Sequence, residues 1–195
     1  MDERLQRKIE ACSLCSDRFA ATETGHEPRP IVWFRRDSPI LIAGQAPGMR
    51  VHVSGKPFDD PSGDRLRDWM GVSPHQFYNR DLVSIVPMAF CFPGYKKGAD
   101  LPPPPICAKT WHEEVQASLG DVKLTLLVGG YAQKWHLGTK RPVTEQVQAW
   151  RDHAPAVFPL PHPSWRNTAW LKRNPWFEQE LLPALRARVN EVLDV

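Results

Sequence analysis

Three groups of residues in this chain have the types and spacing to do chemistry. Cys12-Ser-Leu-Cys15 sets two thiols in a C-x2-C pair, and Cys91 and Cys107 follow with 15 residues between them. Four thiolates suit a [4Fe–4S] cluster or a tetrahedral zinc ion, and in a reducing compartment they also occur as plain core thiols. Gly44-Gln-Ala-Pro-Gly48 is a tight, side-chain-poor loop whose backbone a ligand can approach closely. Pro161-His-Pro-Ser164 holds one imidazole rigidly between two prolines.

The elements that must position these groups are legible as apolar runs bounded by Pro and Gly. Ile40-Leu-Ile-Ala43 reads as a strand buried on both faces, ending at Gly44. Asp81–Val86, Lys123–Val128 and Ala156–Leu160 read as three more strands. Helices are expected over residues 3 to 15, from Ser62 or Gly63 to Met70, over Ile106–Leu119, from Gly130 to about Leu137, and from Pro175 to Leu193 with an interruption at Pro183. Residues 16 to 38, Met49–Asp60 and Phe90–Pro105 read as loops. Strands alternating with helices predict a three-layer α/β/α sandwich with a central, mostly parallel sheet, in one domain spanning residues 1–195. Ligands of such sheets bind beyond the carboxyl ends of the strands. There the loops Gly44–Gly48, Pro87–Gly94 and Pro161–Asn167 should gather, with Gly44–Gly48 as the floor of an active site.

Composition narrows the classes. A chain of 195 residues is long enough for a proper core, and it has no apolar run near 18 residues, which argues against a membrane span. The charged start, Met1-Asp-Glu-Arg-Leu-Gln-Arg-Lys8, lacks the apolar stretch of a signal peptide, so a cytoplasmic protein is expected. A net charge of +3 and a pI near 8.7 permit nucleic-acid binding without demanding it. Twenty prolines, about double average usage, argue against a helical bundle and for ordered, extended loops.

Gly44-Gln-Ala-Pro-Gly48, Ser54-Gly-Lys-Pro-Phe58 and His162-Pro-Ser164, in that order and with the cysteine spacing, resemble the motifs of the uracil-DNA glycosylase superfamily. The nearest branch is the iron–sulfur (family 4-like) one, and the resemblance runs from Cys12 to about Asn167. It implies the same parallel sandwich. It also implies that Cys12, Cys15, Cys91 and Cys107 hold a [4Fe–4S] cluster with a structural role, zinc or empty thiols being the alternatives.

The implied reaction breaks the bond between a base and its deoxyribose, which needs a dry pocket for a flipped base, donors for the departing base anion and a held water. By motif position, Phe58 stacks on the base, His162 donates to its carbonyl oxygen, and Gly44, Gln45 and Ala46 line the pocket. Gln45 departs from the pattern. The family 4-like motif has Glu there, and the family 1 motif puts Asp where Ala46 stands. An amide orients water but is no useful base, so Gln45 predicts slower turnover or another substrate. Asp59 and Asp60 lie close by in sequence as substitute carboxylates, although capping the helix that begins near Ser62 is the more natural use for them. The branch reads the uracil edge with an Asn, yet Ser84–Cys91 contains none, so Met88 or backbone groups are expected to line the pocket. Hypoxanthine, xanthine or another damaged base therefore stands beside uracil.

Ser164-Trp-Arg-Asn-Thr-Ala-Trp-Leu-Lys-Arg-Asn174 corresponds to the loop that enters the minor groove in the superfamily. Ser164 meets a phosphate or caps the following turn. The resemblance implies that Trp165 or Arg166 fills the gap left by the extruded base and that Arg166, Lys172 and Arg173 meet phosphates, the alternative being an amphipathic segment with buried Trp and solvated charges; Arg50 and His52 are weaker contact candidates, and Lys134 reads more naturally as a solvated helix residue. Two functions remain in play: a monofunctional DNA glycosylase, acting as a monomer on DNA with a damaged base, and a non-catalytic member that binds nucleic acid or a nucleobase.

Overall fold

Ile40–Ala43 forms the strand its apolar run predicts, buried along its whole length, and the rest of the chain is wrapped about it. The computed structural model describes residues 2–194. In chain order the elements are α1 (Asp2–Glu10), α2 (Ser16–Ala20), β1 (Ile40–Ala43), α3 (Met49–Ser54), α4 (Pro61–Met70), α5 (Pro74–Phe77) and β2 (Val83–Ile85). There follow β3 (Tyr95–Lys96), β4 (Ala99–Asp100), α6 (Pro105–Leu119), β5 (Leu124–Val128), α7 (Gly130–Leu137), α8 (Val143–Gln148), β6 (Val157–Leu160), α9 (Thr168–Arg173) and α10 (Leu182–Leu193).

The central sheet has the order β2-β1-β5-β6 and all of its strands run parallel. Side chains alternate between its faces as strand geometry requires. Ile40 and Ile42 of β1, with Leu124, Leu126 and Val128 of β5, pack with Leu66 of α4 and Leu185 of α10. Leu41 points the other way, onto Leu5 and Ile9 of α1 and Val115 of α6. Ala43 and Leu127 meet Ala108 of α6 and Ala132 of α7 on that second face. The predicted three-layer sandwich is thus the observed one. Pro159 falls inside β6, where it is tolerated because β6 is an edge strand.

Three local expectations are corrected. The helix at residues 3 to 15 ends at Glu10, and Cys12–Cys15 lies in a turn before α2. Met49–Ser54, expected as loop, is α3, with Gly48 as its N-cap, Val51 buried and Gly55 closing it at φ 72°. The Phe90–Pro105 loop contains the β3–β4 hairpin, whose turn residues Lys97 and Gly98 have φ 52° and 71°. Two positive φ angles in a two-residue turn match the right-handed twist of a hairpin. Among the described residues no helix is long and apolar enough to cross a membrane.

Candidate active site

The carboxyl ends of β1, β2 and β6 open onto a cleft of about 610 Å³, a size suited to a small organic ligand. Gly44, Gln45 and Ala46 form one wall, Phe58 another, and His162 a third. The three sequence motifs, spread over more than 100 residues, therefore meet in one hollow.

The Gly44 loop is tied down by its backbone. Met88 N–H donates to Gly44 O at 2.9 Å, and Ala89 N–H to Gln45 O at 3.2 Å. These bonds continue the β1–β2 ladder past the strand ends. They also account for Met88, whose side chain does not line the cleft. It is buried against Ala43, Ala108 and Leu127 behind the sheet. Only its backbone serves the loop, because the strand-like alternation that aims the peptide at Gly44 turns the side chain to α6 and α7.

Phe58 is held in an unusual backbone state, with φ 54°. Its carbonyl accepts from Tyr78 Oη at 3.1 Å and from Arg67 Nη1 at 3.3 Å. Arg67, nearly buried, is in turn paired with Asp64 at 2.7 Å. Gly63 completes the seat: a Cβ there would fall 1.8 Å from Phe58 O, so only glycine lets α4 lie against this peptide. The ring stands 3.6 Å from where a Gly44 Cβ would be and edge-on to Phe77 at 6.0 Å. Asp60 caps α4, its Oδ1 accepting Gly63 N–H at 2.9 Å, with Pro61 opening the helix. The capping expected of the Asp59–Asp60 pair thus falls to Asp60, which also lines the cleft.

His162 is half-buried at the end of β6. Its Nδ1 accepts Ser164 N–H at 3.2 Å, which assigns the neutral ring's proton to Nε2. Burial pushes its pKa below the usual histidine range, only partly offset by the Asp60 and Asp100 carboxylates. At neutral pH the ring is thus an uncharged donor. Asn167 Nδ2 grips His162 O at 2.7 Å, and Arg65 Nη1 holds Ser164 O at 3.0 Å, so the loop beyond the imidazole is fixed from two sides.

Ser164 caps the short turn Trp165–Asn167, its Oγ accepting Arg166 N–H at 3.3 Å. Trp165 is 71 % exposed at the cleft rim and Arg166 lies beside it. Lys172 and Arg173 are exposed on α9 but contribute nothing to the cleft lining. Arg50 lines it, whereas His52 turns inward, edge-on to His26 at 5.1 Å, with Nδ1 buried and unpartnered. Lys134 is an exposed residue of α7, away from the cleft lining.

Sequence reasoning does not single out Tyr95, Asp100, Arg65 or Asn167 as site residues. Tyr95 and Asp100 line the cleft from the β3–β4 hairpin. The Lys-Gly turn between them is their only local signal.

The four cysteines also meet. All are half-buried around a small apolar recess formed with Ile9, Phe19, Phe90 and Trp111. Burial pushes Cys91 up to about 12 and Cys107 up to about 11, with neighbouring cysteines adding to the rise. Phe90 N–H donates to Cys107 Sγ at 3.4 Å, a contact that favours a thiolate. Among the described residues no three Cys, His, Asp or Glu side chains sit close enough to hold a metal ion. Four thiols lining one recess are a donor set of the kind that holds an iron–sulfur cluster or a zinc ion.

These features define a parallel α/β protein with an open cleft at its strand ends, walled by an aromatic ring and a neutral imidazole donor. Residues 32–186 match the model of the uracil DNA glycosylase superfamily, and the chain belongs to that superfamily.

Proposed function

We propose that the protein is a monofunctional DNA glycosylase that excises a deaminated base, uracil foremost, in base-excision repair. The observation that carries this reading is His162, a neutral imidazole whose Nδ1 is occupied by Ser164 N–H and whose Nε2–H is left for a ligand of the cleft. As the bond between base and sugar lengthens, its electron pair moves onto the base, and the carbonyl oxygen becomes anionic. A neutral donor already in place stabilises that charge without reorganisation. Phe58 supplies a face for the flipped ring, the Gly44 loop admits it closely, and Gln45 orients water. Trp165 fits a wedge for the gap left in the duplex, and Arg166 a phosphate contact. Lys172 and Arg173, farther along, are proposed to meet the DNA backbone. The enzyme is proposed to act as a cytoplasmic monomer.

Cys12, Cys15, Cys91 and Cys107 are proposed to hold a [4Fe–4S] cluster, as in the iron–sulfur branch. It would supply a structural clamp between the N-terminal turn and the loop carrying Cys91, and the bond-breaking chemistry needs nothing from it. Protein purified anaerobically should carry about four iron per chain, and colourless protein lacking iron refutes the assignment.

The missing carboxylate at Gln45 and Ala46 favours a second reading, a binding module for nucleic acid or a free base. An oligonucleotide panel separates the two. Single- and double-stranded substrates with one uracil, hypoxanthine or xanthine are incubated with protein and then cleaved with alkali. Strand breaks that vanish in His162→Ala support the glycosylase. Tight binding to abasic or undamaged DNA without breaks at any base supports the binding module.

A further inference from the structure

We infer that Asp100 is the carboxylate of this active site, the group that takes the proton of the attacking water. The inference rests on the glycosylase reading above. Gln45 and Ala46 stand where related motifs carry an acid, so a base for water, if there is one, must come from elsewhere in the fold. Two carboxylates line the cleft, Asp60 and Asp100. Asp60 already has Oδ1 engaged by Gly63 N–H as the cap of α4. Asp100 has no such structural duty: within the described residues no hydrogen bond or ion pair holds its carboxylate.

The hairpin explains how Asp100 reaches the cleft. Tyr95 and Asp100 are directly opposed in the antiparallel register. Opposed side chains share one face of a two-stranded ribbon, and both residues line the cleft, as do His162 and Arg166. The charged and titratable groups facing Asp100 are thus Arg166 and His162 from the segment after β6, Asp60 from the start of α4, and Tyr95 across the hairpin. Asp100 is exposed at the mouth of the cleft; the partial burial it has there raises its pKa from the ordinary carboxylate value, Arg166 and then His162 pull it back, and Asp60 adds to the rise. A carboxylate so placed is a stronger base than one in open water, which is what taking a proton from water calls for.

The step balances as follows. Water oxygen forms a bond to the anomeric carbon as the carbon–nitrogen bond breaks. The electron pair of that bond leaves with the base, whose carbonyl oxygen receives the hydrogen bond from His162 Nε2. One water proton passes to Asp100, leaving a neutral sugar hydroxyl, and the freed base regains a proton from solvent. Before transfer, the Asp100 charge also opposes the cationic character of the sugar.

The test compares wild type, Asp100→Asn, Asp100→Glu and Asp60→Asn in single-turnover excision from about pH 4, just above the ordinary aspartate value, to neutrality. Affinity is measured on duplex carrying a non-cleavable 2′-fluoro nucleotide. Asp100→Asn should slow excision by about 100-fold, at the low end of general-base effects. It should leave affinity within about threefold and remove the fall in rate at acid pH that wild type shows as its base becomes protonated. Asp100→Glu should keep that acid limb, and Asp60→Asn should keep it too. An active wild type with Asp100→Asn at a similar rate and an unchanged pH profile overturns the Asp100 assignment alone. Transfer of the acid-limb loss to Asp60→Asn does the same. A wild type that releases no base from any substrate overturns the glycosylase reading, and the Asp100 role with it.

Discussion

His162 and the pair His112 and His136 are imidazoles partly or wholly withdrawn from solvent, the first at the carboxyl ends of the sheet and the pair in the helices α6 and α7 that cover one of its faces. His162 has Nδ1 satisfied by Ser164 N–H and lines open volume. His112 is almost fully buried in α6, its Nε2 bonded to Pro87 O at 3.0 Å and its Nδ1 without a partner. His136 of α7, 6.4 Å away between ring centroids, has a buried, unpartnered Nε2. Burial lowers the pKa of all three, and His136 is lowered to about 4. The same desolvation therefore yields a ready donor where the ring borders a cleft, and only a stability liability where it borders side chains. A depressed histidine pKa does not mark a site; the volume beside it does.

Three experiments break or sharpen this contrast. The largest effect is expected at the cleft. His162→Leu should lower the excision rate by about 10²–10³-fold, the loss seen when one donor to a developing anion is removed, equivalent to about 3–4 kcal/mol of barrier. The thermal midpoint should hardly move. A variant that excises within a few-fold of wild type would end the idea that this imidazole stabilises the leaving base.

Next comes the pH dependence of folding. An unfolded chain protonates His136 near pH 6.5, whereas the folded chain does so only near 4. Between those values the unfolded state binds more protons, so stability is full above pH 6.5 and falls as pH drops towards 4. The loss is up to about 3 kcal/mol, a tenfold difference in proton affinity being worth about 1.4 kcal/mol. His136→Leu should flatten that slope in urea melts at pH 4.5, 5.5 and 7 while leaving excision at pH 7 unchanged. An equally steep slope in the variant would remove His136 as its source.

The smallest effect is expected at His112. Replacing it with Asn removes the bond to Pro87 O and should cost about 1–2 kcal/mol. Pro87 lines the cleft, but its position is set chiefly by the β1–β2 ladder, so excision should stay within a few-fold. A loss at His112 as large as that at His162 would mean that the back face shares in the chemistry, and the contrast would collapse.

Much of the positioning frame was legible locally. Ile40–Ala43 and Leu124–Val128 are apolar runs that can only be buried strands in a chain with this many turn residues. Gly71 and Gly120 end α4 and α6 where expected. The Gly44 loop and Pro161-His-Pro-Ser164 stood out because Pro and Gly restrict the backbone within a few residues. Less was legible where the deciding contact lies far along the chain. Met88 is adjacent to the cleft in sequence, yet its side chain faces α6 and α7, and nothing local gives the phase of alternation beyond a three-residue strand. α3 was hidden because Arg50 to Ser54 has no apolar period. Asp100 was hidden inside a proline-rich loop whose hairpin has two-residue strands.

The chain's own residue order determined a parallel α/β sandwich, a glycine loop after its first strand, a rigid imidazole after its last, and four cysteines at ligand-like spacing. Each is a property of short segments, set by backbone sterics and hydrophobic period. Tertiary structure alone decided which side chains share the cleft. It brought Asp100 and Tyr95 into the hollow that Gln45 lines, seated the Phe58 peptide on the bare Cα of Gly63, and kept the His162 ring neutral. Those outcomes depend on distances between residues remote in sequence and on how much water their packing excludes, and neither quantity is written in any one segment.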